Sequence, residues 1–141
     1  MKYFTIEEME KSVIADAKGI KNKIPKKFIK NYEYLINKVL DPIRVKYGFP
    51  IYVNSGYRSD ELNKSVGGVI TSQHTCYNNT AAADIDSGKG RGGNQYLFRL
   101  IRNMIKEKDI EVDQLIDEND YLWIHIGVKI EGKNRNQILS L

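Results

Sequence analysis

The order of helix-like and strand-like segments is the feature that most restricts the fold of this chain. Apolar residues at three- and four-residue steps predict helices early, from Thr5 to Gly19 and from Pro25 to Gly48. Short alternating segments, typical of strands, cluster late, near Val112–Ile116 and Leu122–Val128. Helices first and strands last predict an α+β fold rather than alternating βαβ units.

The other predicted elements are short and complete this picture. They are strands at Pro50–Asn54 and Ala82–Asp86, one or two helical turns over residues 60–66, a third amphipathic helix over Leu97–Ile105, and an edge strand at Gln137–Leu141. Pro42 is expected to kink or restart the second helix, because proline lacks the N–H that continues a helix. We therefore expect a small antiparallel sheet flanked by about three helices.

Length and composition narrow the class of protein. The 141 residues fit a single domain, residues 1–141, and the lone Cys76 excludes an internal disulfide or a zinc finger with paired cysteines. No apolar run approaches the ~20 residues of a membrane span. The N-terminal segment is acidic and amphipathic rather than a signal peptide, so we expect synthesis in the cytoplasm.

The positive charge of the chain is unevenly distributed. Formal net charge is +4, and six lysines between Lys18 and Lys30 have no acid among them. Such a stretch suits contact with an anionic polymer, such as nucleic acid or cell wall, but a solvated loop and first helical turn is the interpretation we favour. A nucleic-acid reader would also need an aromatic stacking face or a recognition helix, so no nucleic-acid partner is expected.

Gly88, Gly90 and Gly93 form a literal G-x-G-x-x-G sequence, the pattern of a dinucleotide-binding loop. That function requires the loop to lie inside a βαβ unit. The preceding segment, Ala82–Asp86, is too short and polar for a buried parallel strand. We therefore interpret the glycines as a flexible loop rather than a nucleotide site.

The only two histidines lie near acidic residues. Strand alternation places His125 on one face with Trp123 and Gly127, whereas His74 follows a glycine-rich turn. A single histidine in a strand is usually structural, but two histidines beside acids suggest a metal site. Hydrolytic zinc takes three N or O ligands and leaves a fourth position for water. His74, His125 and a carboxylate meet that need, with Asp84 and Asp86 as alternatives.

Arg58 follows a predicted strand and stands in a tight turn, Asn54–Ser59. An arginine in such a position suits recognition of a carboxylate or an oxyanion. Considered alone, a surface arginine that closes a turn is the better interpretation.

Five segments in a fixed order identify a family resemblance. They are Ser55-Gly-Tyr-Arg58-Ser, Leu62-Asn-Lys-Ser-Val-Gly-Gly, Thr71-Ser-Gln-His74, Ala82-Ala-Asp84-Ile-Asp, and Asp113-Gln-Leu-Ile-Asp-Glu118 followed by Trp123-Ile-His125. The chain resembles the zinc D-Ala-D-Ala carboxypeptidase family, especially its short phage and prophage members. Their fold is shared with lysostaphin-type endopeptidases and the hedgehog signalling domain.

The resemblance implies a Zn²⁺ cofactor and a role for each matched residue. It implies zinc ligands at His74, Asp84 and His125, a general base at Glu118, stabilisation of the scissile carbonyl by Arg58, and substrate contact by Ser72. The implied reaction is hydrolysis of a peptide bond in peptidoglycan stem peptides, at a D-Ala-D-Ala or an L-Ala-D-Glu-type linkage. We expect a monomer acting at the bacterial wall, reached through a holin, within a virion or by another export route.

One segment departs from the family pattern. His74 and Asp84 are ten positions apart and no glycine lies between them, whereas the family places its aspartate seven after the histidine. An enlarged loop between retained ligands is the simplest interpretation, with Cys76 inside it. A non-catalytic wall-binding or virion module that keeps the fold is the alternative. Asp117 and Asp120 also remain rivals of Glu118 for the base.

Overall fold

A five-stranded sheet forms the centre of the protein in a computed structural model, which describes residues 1–141. The strands are β1 (Tyr52–Ser55), β2 (Thr80–Asp86), β3 (Gln114–Glu118), β4 (Trp123–Lys129) and β5 (Gln137–Ser140). Their spatial order is β1-β2-β4-β3-β5. All neighbouring strands are antiparallel except β3 and β5, which are parallel. The predicted α+β class is confirmed, with a mixed rather than purely antiparallel sheet.

Four of the six helices precede β1 in the chain, one lies between β1 and β2, and one lies between β2 and β3. They are α1 (Ile6–Glu10), α2 (Val13–Lys18), α3 (Ile29–Leu35), α4 (Asp41–Tyr47), α5 (Asp60–Ser65) and α6 (Gly90–Lys106). None combines the length and the apolar character that crossing a bilayer requires. The six lysines between Lys18 and Lys30 are all exposed, along the connection after α2 and the turns that begin α3.

The predicted first helix is two short helices, each begun by a hydroxyl side chain. The Thr5 hydroxyl accepts a hydrogen bond from the N–H of Glu8, and the Ser12 hydroxyl accepts one from Ala15. Gly19 ends α2 in the left-handed conformation, at φ 67°. The second N-cap at Ser12 explains why one periodic segment forms two helices.

The predicted second helix continues past Pro42 through a widened turn. A single π-helical turn, Ile36–Leu40, joins α3 to α4. Pro42 has no N–H to donate to the preceding turn, so the regular series of helical backbone hydrogen bonds is interrupted there. The wider π-helical turn accommodates this interruption. Gly48 ends α4 at φ 82°, so both predicted boundary residues have the expected effect.

Alternation along the strands gives the sheet one apolar and one polar face. On the apolar face lie Ala83 of β2 and Ile124 and Ile126 of β4, all fully buried. Tyr32 of α3 is also buried against this region, and its hydroxyl donates to the carbonyl of Ala82 at 2.9 Å. Helices therefore cover one face, while polar residues of the same strands are left on the other face.

The glycine-rich segment starts α6 instead of forming a flexible loop. Helix α6 begins at Gly90, seven residues before the predicted Leu97, after Gly88 and Gly90 adopt left-handed φ values of 73° and 70°. The preceding strand, β2, spans seven residues, Thr80–Asp86, and is therefore longer than the predicted Ala82–Asp86, with strands on both sides of it. Both neighbours of β2 are antiparallel to it, which excludes the adjacent parallel pair of a dinucleotide site.

Truncation of Ile126 to alanine should test the packing of the apolar face. We expect Ile126→Ala to lower the free energy of unfolding by about 2–5 kcal/mol, because it opens a cavity between the sheet and its helices. Val13 is 85% exposed, and Val13→Ala should change stability by less than about 0.5 kcal/mol. Urea unfolding measures both, and equal midpoints for the two variants would contradict this description of the core.

Candidate functional site

Three potential metal ligands meet on the polar face of the sheet. Asp84 of β2 and His125 of β4 are directly opposite one another across the strands, and His74 comes from a short 3-10 turn, Gln73–Thr75. Asp84 Oδ1 lies 3.2 Å from His74 Nε2 and 3.1 Å from His125 Nδ1. The three ligand atoms are within 4.8 Å of one another and all three residues are buried. Two nitrogens and one carboxylate oxygen so placed fit a zinc ion.

The outer nitrogen of each imidazole ring faces a hydrogen-bond acceptor. His74 Nδ1 lies 2.6 Å from the carbonyl oxygen of Gly56, and His125 Nε2 lies 3.4 Å from Gln73 Oε1. With these outer contacts in place, His74 Nε2 and His125 Nδ1 are the ring nitrogens directed at Asp84, and both hydrogen-bond to it. Such outer partners fix the tautomer and the ring orientation of metal-binding histidines.

Asp84 is the charged centre of the cluster. Burial alone would raise the pKa of Asp84, but the charge and hydrogen bonds of His74 and His125 hold that pKa well below its usual range. Arg58 Nη2 adds a further positive group 3.5 Å from Asp84 Oδ2. Asp86, the alternative ligand, lies outside the cluster and accepts a hydrogen bond from the N–H of Gly88.

An open pocket of about 500 Å³ contains the cluster together with the other predicted site residues. Glu118 lines it, and its Oε2 accepts a hydrogen bond from Trp123 Nε1 at 2.7 Å. Arg58 also lines it, with its guanidinium hydrogen-bonded to Ser55 and Asn63 side chains at 3.2 and 3.3 Å.

Ser72 is the last predicted site residue and lies on the rim of the same pocket. Its hydroxyl accepts a hydrogen bond from the N–H of His74 at 3.2 Å, which begins the turn that carries this histidine. The structure therefore brings all six predicted site residues into one pocket.

A comparison with protein-family models gives a match over residues 2–126 to the model described as Peptidase M15. The chain belongs to this family. The family resemblance drawn from the motifs is therefore confirmed, and membership makes the chain a peptidase of metallopeptidase type. M15 peptidases are zinc-dependent, in agreement with the cluster of His74, Asp84 and His125. A search of curated proteins gives no match.

The two rivals of Glu118 lie outside the pocket of this M15 peptidase. Asp117 is one position from Glu118 on β3, so it points to the opposite face of the sheet, where it is buried and bonded by the Ser140 hydroxyl. Asp120 lies in the exposed turn between β3 and β4. Glu118 is thus the only one of the three carboxylates that faces the cluster.

A second layer of polar residues supports His125, and sequence reasoning missed it. Gln73 Nε2 donates to Asp113 Oδ2 at 2.8 Å, and Arg135 holds the same carboxylate through Nε and Nη2 at 3.0 and 2.8 Å. Burial alone would raise the pKa of Asp113, but the hydrogen bonds from Arg135 lower it to about 2. The only local signal was the position of Gln73 beside a predicted ligand.

Gly127 is what allows Gln73 to reach His125. A Cβ atom at position 127 would overlap the Gln73 side-chain amide and approach His125 Nε2. Only glycine leaves this space free, so the choice of residue on β4 determines how the turn carrying His74 lies over the sheet.

The lengthened loop between His74 and Asp84 lies away from the metal cluster. Residues 75–78 line a separate groove beside α5 and the turn that precedes α3, and none of residues 75–80 lines the pocket. Cys76, Asn78 and Asn79 adopt left-handed φ values of 62°, 53° and 59°, so two asparagines make the turn without a glycine. Asn31 of α3 anchors it by donating to Asn79 Oδ1 and the Thr80 carbonyl.

Cys76 is not a ligand in this arrangement. Its side chain is buried in the apolar core and burial raises the pKa of the thiol to about 12. A protonated thiol is a poor metal ligand and a poor nucleophile. The cysteine therefore contributes to packing, and the cluster consists of His74, Asp84 and His125 alone.

Substitution of Gly127 should test the role of the second layer. We expect Gly127→Ala to weaken zinc binding by roughly 10–100-fold, because the added methyl group displaces Gln73 from His125. Gly92 lies in α6 with open space around it, so Gly92→Ala is a matched control that should bind zinc like the wild type. Competition with a chromogenic chelator measures both affinities, and unchanged binding in Gly127→Ala would contradict the assignment.

Proposed function

We propose that this protein is a zinc-dependent peptidase that hydrolyses peptide bonds in the stem peptides of peptidoglycan. The observation that carries the proposal is the placement of the His74, Asp84 and His125 cluster in one pocket with Glu118 and Arg58. The family resemblance supports the substrate class, with a D-Ala-D-Ala or an L-Ala-D-Glu-type bond as the target. Formal net charge of +4 favours approach to an anionic wall.

The metal-binding atoms are assigned by their convergence in the cluster. His74 Nε2, Asp84 Oδ1 and His125 Nδ1 would hold the ion. A bound zinc ion supplies Lewis acidity, which lowers the pKa of water and polarises a carbonyl group. The low pKa of Asp84 and the outer hydrogen-bond partners of both imidazole rings favour the ligand arrangement that metal binding requires.

Glu118 is the proposed general base. Its Oε2 is held by the indole of Trp123, which fixes the carboxylate and leaves Oε1 to accept a proton from the attacking water. The same carboxyl group can then return the proton to the leaving amine as the peptide bond breaks.

Arg58 is the proposed group for charge stabilisation. Its guanidinium is always charged, so it stabilises negative charge that develops on the carbonyl oxygen without exchanging a proton. Hydrogen bonds to Ser55 and Asn63 hold it in place before substrate arrives. Ser72, on the same rim, is available for a hydrogen bond to the substrate backbone.

The alternative of a non-catalytic wall-binding module was motivated by the lengthened loop. Since none of residues 75–80 lines the pocket, the insertion gives no reason to expect a blocked cleft. The open pocket with its full set of proposed catalytic groups favours hydrolysis.

Removal of the proposed base should separate chemistry from metal binding. We expect Glu118→Gln to lower kcat for muropeptide cleavage by roughly 10²–10⁴-fold while zinc content stays at one ion per chain. Asp120→Asn removes a neighbouring exposed carboxylate and should keep full activity. Unchanged cleavage by Glu118→Gln would show that the base is misassigned.

Digestion of purified peptidoglycan with and without a chelator should test the reaction itself. Mass spectrometry of the released fragments is expected to show one hydrolysed peptide bond, whose identity distinguishes the two linkages, and no product after chelation. A zinc-loaded protein that cleaves no peptidoglycan preparation would instead favour the binding module.

A further inference from the structure

Arg135 is a charged group in the pocket that the proposed hydrolysis does not use. It lines the pocket that contains the metal cluster, and its side chain is 49% exposed. Its Nε and Nη2 bind Asp113, whereas Nη1 has no acceptor in the protein. One edge of the guanidinium is therefore fixed and the other is available to a ligand.

The charges around Arg135 do not cancel. Asp113 is fully buried and is the only acid paired with both Arg135, at 2.8 Å, and Lys129, at 3.6 Å. One carboxylate shared by two cations leaves an excess positive charge in this group, and Arg135 is the member of the group that lines the pocket. An anionic group of a ligand would neutralise this positive charge.

The register of the strands places Asp113, the partner of Arg135, two residue pairs from His125. His125 pairs with Ile116, and Gly127 pairs with Gln114, two residue pairs further along β4. Asp113 lies next to the Gln114–Gly127 pair, because its N–H donates a hydrogen bond to the Gly127 carbonyl. Two strand residues span ~7 Å. Glu118 pairs with Trp123, two residue pairs from His125 in the opposite direction.

We propose that Arg135 binds a free carboxylate of the substrate peptide, one or two residues from the hydrolysed bond. This inference rests on the proposed function, since it names a feature of the same substrate. A guanidinium forms strong charge-assisted hydrogen bonds with a carboxylate, and the anchor to Asp113 reduces the entropy lost on binding. Arg58 is less suited to this role because Ser55, Asn63 and Asp84 already engage it.

The test compares a stem pentapeptide that has free carboxylates with forms in which each carboxylate is amidated in turn. For one of these forms, wild-type kcat/KM should fall roughly tenfold or more, the loss expected for one charge-assisted hydrogen bond. In Arg135→Gln that preference should disappear, because KM for the free acid rises to that for the amidated peptide. Both peptides are assayed at saturating zinc, so that any weaker metal binding caused through Asp113 and Gln73 affects the two equally. Lys129→Gln, which alters the other cation on Asp113 outside the pocket, should keep the preference.

A second variant controls for the structural role of Arg135, which hydrogen-bonds the buried Asp113 carboxylate. Since Arg135→Gln leaves Asp113 without its strongest partner, the double variant Asp113→Asn, Arg135→Gln removes the buried charge as well and should remain folded. It should also lose the preference for the free acid. A preference that persists in both variants would overturn the assignment.

Calorimetric binding of the same peptides to zinc-loaded Glu118→Gln protein separates the two proposals. We expect the free acid to bind roughly tenfold more tightly than the discriminating amide, and this difference to vanish when Arg135→Gln is added. If that pattern appears but the wild type hydrolyses nothing, the hydrolysis proposal fails and the carboxylate site stands. If the wild type hydrolyses both peptides equally and binds them equally, the carboxylate site is overturned and hydrolysis stands.

Discussion

The antiparallel pairing of β2 with β4 is the constraint on which both the core and the site depend. The same register places Asp84 opposite His125 on the polar face and Ala83 opposite Ile126 on the apolar face. A shift of one residue would turn the histidine toward the helices and the isoleucine toward solvent. Burial of the apolar face therefore fixes the position of the potential metal ligands, so the free energy that holds the sheet to its helices also orients the cluster.

Buried polar groups in this site are stabilised in layers. Asp84 would be costly to bury alone, and two imidazoles and Arg58 surround it. Those imidazoles are in turn held by the Gly56 carbonyl and by Gln73, and Gln73 is held by Asp113. Each layer leaves little conformational freedom to the layer inside it, which is how a small domain can present ligands in a fixed arrangement before any ion arrives.

Much of the fold and of the site follows from local sequence patterns. Period-two alternation predicts that Trp123, His125 and Gly127 share a face, and the ordered motifs indicate the three ligands together with Glu118 and Arg58. The choice between Asp84 and Asp86 could not come from alternation, because both residues lie on one face of β2. The family motif selects Asp84, and the pairing of β2 with β4, which sets Asp84 opposite His125, gives the physical reason.

Other features depend on contacts between distant parts of the chain. Arg135 meets Asp113 because β5 lies parallel to β3, and no local pattern in residues 130–140 indicates that contact. The start of α6 at Gly90 was missed because glycine is a weak helix former, and tertiary packing overrides that propensity. The turn at Asn78 and Asn79 was likewise hidden, since asparagine adopts the left-handed conformation that a glycine was expected to supply.

The central claim is that two imidazole nitrogens and one carboxylate oxygen of the sheet face form a zinc site. X-ray absorption at the zinc edge of the purified protein tests it most directly. The structure predicts nitrogen and oxygen neighbours at ~2.0–2.2 Å, with the scattering pattern of two imidazole rings. A sulfur neighbour at ~2.3 Å, which only Cys76 or a methionine could supply, or fewer than two imidazole rings would contradict the account.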